Sequence, residues 1–258
     1  MDMYNMRVFN YGESVQVRLY NKSVLSGNGK SKDLCDCTDL PVDEALKQMR
    51  EEHSINSSVN RTKNKLYGIA RANEWDLFIT LTFDRAVTDS ADYNLVSQRT
   101  RVWLNHLKNR FCPDLKYLVV PELHADGEHW HIHGLLANVD GLELVESGVV
   151  KHGKMLYNLP GWRYGFSTAS YVGDTRRVSG YVCKYITKEL ATLTQHRKRF
   201  WASSNCIRIE DVTESYMLDS QADFFKAYGN DIDHVKSVNL PVGGRKVKYI
   251  ELSSSSDL

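Results

Sequence analysis

The chain has 258 residues, of which 42% are hydrophobic and 25% charged, with a net charge of +1. These values are ordinary for a globular protein with one substantial core, and the charge gives no global argument for a polyanionic partner. No apolar run reaches the roughly 18 residues of a membrane span. The N-terminal residues lack the apolar core of a secretory signal, so we expect a cytoplasmic protein with reduced cysteines. Cys35 and Cys37 have no second pair to complete a zinc site.

The N-terminal third of the chain predicts a hairpin, a loop and helical structure. The first 25 residues alternate as strands do, with a turn near residues 11–13. Residues 26–42 are rich in Ser, Gly, Lys and Asp and predict a loop. Helical composition fills roughly residues 43–74, with a break near residues 54–58. An aromatic, β-branched strand follows at residues 78–83.

The middle of the chain predicts a helix and then a second hairpin. An amphipathic helix from about Asp92 to Arg110 is expected, and its apolar stripe consists of Val96, Trp103, Leu107 and Phe111. Residues 116–123 and 129–137 predict two strands, because the Asp-Gly pair at 126–127 is a strong hairpin signal.

The remaining pattern completes an α+β arrangement. Residues 140–160 are ambiguous, residues 165–172 predict a strand, residues 177–194 a helix, and residues 243–252 a terminal strand. This order of elements favours a central antiparallel sheet with flanking helices.

The second hairpin predicts a metal site. Counting outward from its turn sets Glu122 opposite His131, and His133 follows two residues later on the same face. Two imidazoles and a carboxylate leave coordination positions open for water or phosphate oxygens. His124 and His129 fall on this face nearer the turn, as outer ligands or DNA contacts. A polar strand edge and a non-haem iron triad are the alternative interpretations.

A tyrosine-rich segment follows the metal hairpin. On a continuous helix, Tyr181, Lys184, Tyr185 and Lys188 share an arc of roughly 100°. The apolar residues form a separate stripe, made of Val178, Val182, Ile186, Leu190 and Leu193. A phenol can attack a phosphodiester and hold the phosphate as a covalent ester, provided that cations or a metal assist it. Ordinary amphipathic packing is the alternative for the tyrosines alone.

The surrounding segment is locally basic, as a phosphate backbone requires. Between residues 174 and 199 the acids are only Asp174 and Glu189, and the cations are Arg176, Arg177, Lys184, Lys188, Arg197, Lys198 and Arg199. A solvated helix face is the alternative.

Three ordered motifs resemble the HUH endonucleases, specifically the two-tyrosine rolling-circle replication initiators of phages and small plasmids. Residues 78–83 are similar to the first motif, residues 131–136 to the metal motif, and residues 181–188 to the tyrosine motif. Residues 162–166 also fit that pattern. The resemblance covers about residues 60–195, and the ordered set is more specific than any single motif.

The resemblance implies a ferredoxin-like (RRM-like) palm that nicks and rejoins single-stranded or hairpin origin DNA through a 5′-phosphotyrosine. Glu122 is then the third ligand beside His131 and His133, and the metal is magnesium or manganese. Tyr181 and Tyr185 are both candidate nucleophiles, with Tyr185 at least as favoured as Tyr181 for the first attack, and Lys184 and Lys188 assist.

The same resemblance implies partners and a division of the chain. A host polymerase would extend the 3′ hydroxyl. A host helicase is expected because Gly29-Lys30 has Val24 where a phosphate-binding loop needs glycine. The expected division is a hairpin and helical flank at residues 1–59, an endonuclease domain at 60–200 and a C-terminal extension at 201–258.

Two other functions remain open from sequence. An HUH transposase or relaxase would use the same chemistry in another setting. A non-catalytic nucleic-acid-binding module would instead expect stacking aromatics on the sheet face.

Overall fold

The computed structural model describes residues 3–12, 14–25, 44–195, 197–240 and 244–253. The loop predicted at residues 26–42, with its two cysteines, lies outside the described residues. No helix in the described part of the chain is both long and apolar enough to cross a membrane.

The described residues form an α+β fold with two antiparallel sheets. The strands are β1 (Met3–Asn10), β2 (Ser14–Leu25), β3 (Leu77–Thr82), β4 (Lys116–Leu123), β5 (Trp130–Ala137), β6 (Val145–Lys151), β7 (Lys154–Asn158), β8 (Ser167–Tyr171), β9 (Trp201–Ala202), β10 (Thr213–Tyr216), β11 (Ile232–Asn239) and β12 (Lys246–Ser253). The α-helices are α1 (Glu44–Arg71), α2 (Tyr93–Arg110), α3 (Thr175–Val182), α4 (Lys188–Leu193) and α5 (Gln221–Tyr228).

The chain divides into two compact units, Asp43–Cys206 and a discontinuous unit made of Met1–Val42 and Ile207–Leu258. These boundaries differ from the expected ones at 59/60 and 200/201. The long helix α1 falls within the central unit, and the N-terminal hairpin pairs with strands from the C-terminal segment. The functional division into a catalytic domain and two flanks stays a prediction.

The central unit contains a seven-stranded sheet in the order β6-β7-β8-β3-β5-β4-β9. Strand β3 alternates strictly, with Leu77, Ile79 and Leu81 fully buried on one face. These side chains join one core cluster with Ile132 of β5 and the apolar side of α2. Burying each such side chain contributes about 1.5–3 kcal/mol, so this alternation sets which face of β3 turns to the core.

Helix α2 confirms the predicted amphipathic helix. Asp92 caps its N-terminus by accepting a hydrogen bond from the Asn94 backbone N–H, as a helix start requires. The helix buries Val96, Trp103 and Leu107 as expected. Phe111 is the exception: it is the C-cap residue, it is 52% exposed, and its ring packs on His106 rather than in the core.

Helix α1 is continuous from Glu44 to Arg71, so the predicted break near residues 54–58 is wrong. Ser and Asn in that stretch lower helix propensity only weakly, and tertiary packing overrides it. Val59, Leu66 and Ile69 are buried in the core of the central unit and hold the helix through this stretch.

The discontinuous unit contains a five-stranded sheet in the order β10-β1-β2-β12-β11. The predicted hairpin β1–β2 and the predicted terminal strand β12 are both present, and they pair antiparallel through β2. Helix α5 covers this sheet's core by burying Phe224 among Val17, Ile250 and other strand side chains.

Candidate active site

The β4–β5 hairpin has the register predicted from its Asp-Gly turn. Glu122 pairs with His131, and Val120 pairs with His133. The turn closes because Gly127 adopts a φ of +74°, which glycine reaches without steric cost. Glu122, His131 and His133 therefore share one sheet face, called here the histidine face. The expected metal residues are brought together by this register.

His133 is fixed from both ends of its ring. Its Nε2 lies 2.6 Å from Oε2 of Glu122, and its Nδ1 lies 3.0 Å from the Thr80 hydroxyl on β3. In a neutral ring, Nε2–H donates to the carboxylate and the Thr80 hydroxyl donates to Nδ1. Thr80 is thus an orienting residue that sequence reasoning missed, because its contact depends on β3 lying beside β5.

The electrostatics of the histidine face favour an ionised carboxylate and a neutral imidazole. Burial alone would raise the pKa of Glu122, but the hydrogen bond and charge of His133, with Lys184 nearby, hold that pKa below its usual value. Burial and the neighbouring His124 and His133 lower the pKa of His131. Metal ligands must be present in these two states.

The donor set fits a divalent ion in its chemistry, while the side-chain positions favour a hydrogen bond. Within the described ranges, no group of three or more His, Cys, Asp or Glu is already arranged to hold a metal. The reason is the direct contact between Glu122 and His133, which points two potential ligand atoms at each other. A rotation of the exposed Glu122 side chain would release both atoms, and His131 lies directly opposite it.

The other two histidines belong to the turn. Asp126 accepts hydrogen bonds from the backbone N–H groups of Glu128 and His129, which hold its pKa well below the usual range. His129 Nδ1 lies 2.9 Å from Asp126, and the His124 ring stacks on His131 with centroids 4.9 Å apart. These contacts tie His129 to the turn and leave His124 beside the expected ligand.

The single helix predicted over residues 177–194 is wrong, because the chain breaks it in two. Helix α3 ends at Val182, a 3-10 turn covers Cys183–Tyr185, and Ile186 is extended with φ −84° and ψ 91°. Thr187 then starts α4 by accepting a hydrogen bond from Leu190 N–H. The arc of four residues is therefore shortened, because Lys188 begins a new helix.

The two tyrosines occupy different environments on the histidine face. The Tyr185 ring lies 3.9 Å from the His133 ring, nearly parallel, and the side chain is 3% exposed. Tyr181 packs edge-on against Phe78 and is 46% exposed. Phe78 is a second residue that sequence reasoning did not single out, although its alternation with buried Leu77 and Ile79 places it on this face.

Lys184 joins the two phenols. Its Nζ donates a hydrogen bond of 2.6 Å to the Tyr181 hydroxyl and lies 4.7 Å from the centre of the Tyr185 ring. Hydrogen bonds from Lys184 and Tyr185 lower the pKa of Tyr181, whereas burial strongly raises the pKa of Tyr185. Tyr181 is thus the phenol that ionises more easily. Lys188 is exposed and is not among the described contacts of this cluster.

The basic segment is only partly available for DNA. Arg199 donates hydrogen bonds to Ser58 and Thr62 of α1 and to the Ala191 carbonyl, so it ties two helices together. Asp174 caps α3 by accepting from the Arg177 N–H. Arg176, Arg177, Lys184, Lys188 and Lys198 remain exposed.

Comparison with known proteins agrees with the position of this site. Residues 76–190 match a family model described as a replication-associated protein of the ORF2 type. The match lies inside the central unit, covers a little under half of the chain, and includes both the histidine hairpin and the tyrosines. Searches of curated proteins and of solved structures found no match. The similarity supports a replication-initiator role, with DNA as the partner.

Proposed function

We propose that this chain nicks and rejoins single-stranded DNA at a replication origin through a metal-assisted 5′-phosphotyrosine. The observation that carries the proposal is the meeting of two tyrosines and Lys184 with Glu122 and His133 on one sheet face. A non-catalytic binding module has no use for a phenol whose pKa is lowered beside a carboxylate–histidine pair.

The strand order supports a ferredoxin-like palm as the scaffold. The four strands β3, β4, β5 and β8 occupy the order β8-β3-β5-β4, and α2 connects the first two. The hairpin β6–β7 stands between β5 and β8, where the motif ordinarily has a helix. We propose that this hairpin is an insertion on the palm.

Glu122, His131 and His133 would hold the divalent ion, magnesium or manganese. When bound, such an ion polarises a phosphate oxygen and stabilises the charge that develops there. Thr80 would orient His133 through Nδ1 while Nε2 binds the metal, as the hydrogen-bond partners of ligating histidines commonly do. The iron-triad alternative gives no role to Lys184 and the tyrosines.

Tyr181 is the nucleophile that we propose for the first attack, and the structure moves our preference to it from Tyr185. Tyr181 is exposed, and the Lys184 ammonium stabilises its phenolate. The phenol loses its proton to solvent and its oxygen bonds to phosphorus. The bond from phosphorus to the 3′ oxygen then breaks, and that oxygen takes up a proton as a free 3′ hydroxyl. Tyr185, buried against His133, would act after a rearrangement or only position the ring.

A cleavage assay on end-labelled single-stranded candidate origins with Mn²⁺ tests the proposal. We expect wild type to form a covalent protein–DNA adduct that disappears with chelator, with Tyr181→Phe and with the double Tyr181→Phe/Tyr185→Phe variant. Tyr185→Phe alone should retain the adduct. DNA binding without any adduct under any divalent metal would leave a binding module as the function.

The same assay separates the neighbouring functions. Release of a circular rejoined strand supports a replication initiator with host helicase and polymerase as partners. Transfer of the strand to an unrelated target would indicate the transposase alternative, and cleavage only at a transfer origin would indicate the relaxase.

A further inference from the structure

Phe166 lies in the same row of the sheet as the expected metal ligands. The Thr82 backbone N–H donates to the Phe166 carbonyl at 2.8 Å, which extends the β3–β8 ladder by one residue beyond the Leu81–Ser167 pair. Thr82 pairs in turn with His131. Directly paired residues point to the same face, so Phe166 is on the histidine face, two strand spacings or about 10 Å from His131.

The Phe166 side chain is left open to solvent. At 76% it is the most exposed large apolar side chain among the described residues. No ring–ring contact of Phe166 occurs within the described part of the chain, although aromatic pairs are frequent around it. A single exposed apolar residue is ordinary by itself, so the exposure needs a second observation.

That second observation is a rigid backbone under the exposed ring. Asp84 N–H donates to the Tyr164 carbonyl, and the Trp162 indole donates to the Thr82 carbonyl, so both sides of Phe166 are anchored. Gly165 between them has a φ of +152°, and an added Cβ would lie 2.3 Å from the Thr82 carbonyl oxygen. The chain therefore uses a glycine-only conformation to hold an exposed ring beside the histidine face.

The surroundings of the ring favour a flat, partly polar ligand. Thr82, Thr168 and His131 are its neighbours across the sheet, and all three keep solvent exposure. A purely apolar protein partner would bury these polar groups without replacing their hydrogen bonds. A nucleobase stacks on the ring while its sugar and phosphate stay hydrated.

From this geometry we propose that Phe166 is a stacking platform for a base of the single strand, close to the phosphate that Tyr181 attacks. The inference rests on the proposed function for the identity of the strand. It deepens that proposal by naming a base contact on the opposite side of the metal residues from β4.

Binding of two probes in chelator tests the platform without any cleavage. One probe is a fluorescent oligothymidylate, and the other is an abasic chain of the same length and charge. We expect Phe166→Ala to weaken oligothymidylate binding about 5- to 100-fold and to leave abasic-chain binding unchanged. Phe166→Trp should retain binding to both probes within about twofold, because its ring also stacks. Phe111→Ala, another exposed phenylalanine at the end of α2, should behave as wild type.

Three results would overturn the platform. These are wild-type affinity for oligothymidylate in Phe166→Ala, an equal loss for both probes, or a wild type that does not prefer oligothymidylate to the abasic chain. The adduct assay is independent of these outcomes. A wild type without an adduct overturns the nuclease proposal, and unchanged binding by Phe166→Ala overturns only the platform.

Discussion

The imidazole of His133 and the phenol of Tyr185 lie parallel, with ring centroids 3.9 Å apart and planes 3° apart. The stack joins the segment after α3 to the middle of β5. It is the contact by which the tyrosine segment meets the expected metal residues, so the position of His133 depends on the ring at residue 185.

This stack predicts different results for two substitutions of Tyr185. Tyr185→Phe keeps the ring and should leave both the melting temperature and the first adduct nearly unchanged. Tyr185→Ala removes a buried aromatic ring and should cost about 3–5 kcal/mol of folding free energy. Denaturant titration measures the stability, and the adduct assay measures activity. A strong loss of the first adduct in Tyr185→Phe would instead make Tyr185 the first nucleophile.

The hydrogen bond from Lys184 to Tyr181 predicts a shift in the pH dependence of nicking. Hydrogen bonding by Lys184 lowers the pKa of Tyr181, so its phenolate forms at lower pH than that of a free tyrosine. In Lys184→Met that pKa rises, and the limb of the profile that increases with pH should move to higher pH. Single-turnover rates from about pH 6 to about pH 10 measure the shift.

Lys188→Met is the matched control for the Lys184 variant. It removes the same charge from the beginning of α4, beyond the break at Ile186 and Thr187. We expect its pH profile to overlay that of wild type. Equal shifts in both variants would mean that the two lysines act only through general electrostatic attraction of DNA.

The hydrogen bond between Thr80 and His133 predicts an effect on metal affinity. Thr80→Val keeps the shape of the side chain but removes the partner of His133 Nδ1. Loss of such an orienting partner weakens metal binding about 10- to 100-fold. Calorimetric titration with Mn²⁺ measures the affinity, and Thr168→Val is the control because Thr168 pairs directly with Thr80 on the same face. Equal affinities for both variants would remove Thr80 from the site.

The backbone at Gly165 predicts opposite effects for two glycine substitutions. Gly165→Ala forces a Cβ against the Thr82 carbonyl and the Asp84 N–H, and should lower stability by about 2–3 kcal/mol. Gly180→Ala lies within α3 with open space around the added Cβ, and should raise stability by about 0.5–1 kcal/mol. Thermal unfolding of both variants gives the signs, and a neutral Gly165→Ala would mean that this backbone segment relaxes easily.

Local signals in the sequence predicted the metal hairpin well. The Asp-Gly turn determines which residues pair in β4 and β5, so the register of Glu122 and His131 follows from counting. The orienting residue Thr80 could not be found in this way, since no local signal says that β3 lies beside β5. The pairing of β2 with β12 is a non-local contact of the same kind.

The tyrosine segment failed for a different reason. Val178, Val182, Ile186 and Leu190 continue one helical period across the break, so the apolar pattern alone cannot reveal it. Thr187 carries the missing signal, because threonine before Lys188-Glu189 is a typical helix start. Periodicity was weighed and capping was not.

The pairing of β2 with β12 also orders events during synthesis. The sheet that contains β1 and β2 gains its remaining strands only from residues 213–253, whereas the unit Asp43–Cys206 is one continuous stretch. On the ribosome, the central unit can fold as soon as its own residues have emerged. The first hairpin must then wait through the translation of that entire unit before its partners exist, which leaves its strand edges open to other nascent chains.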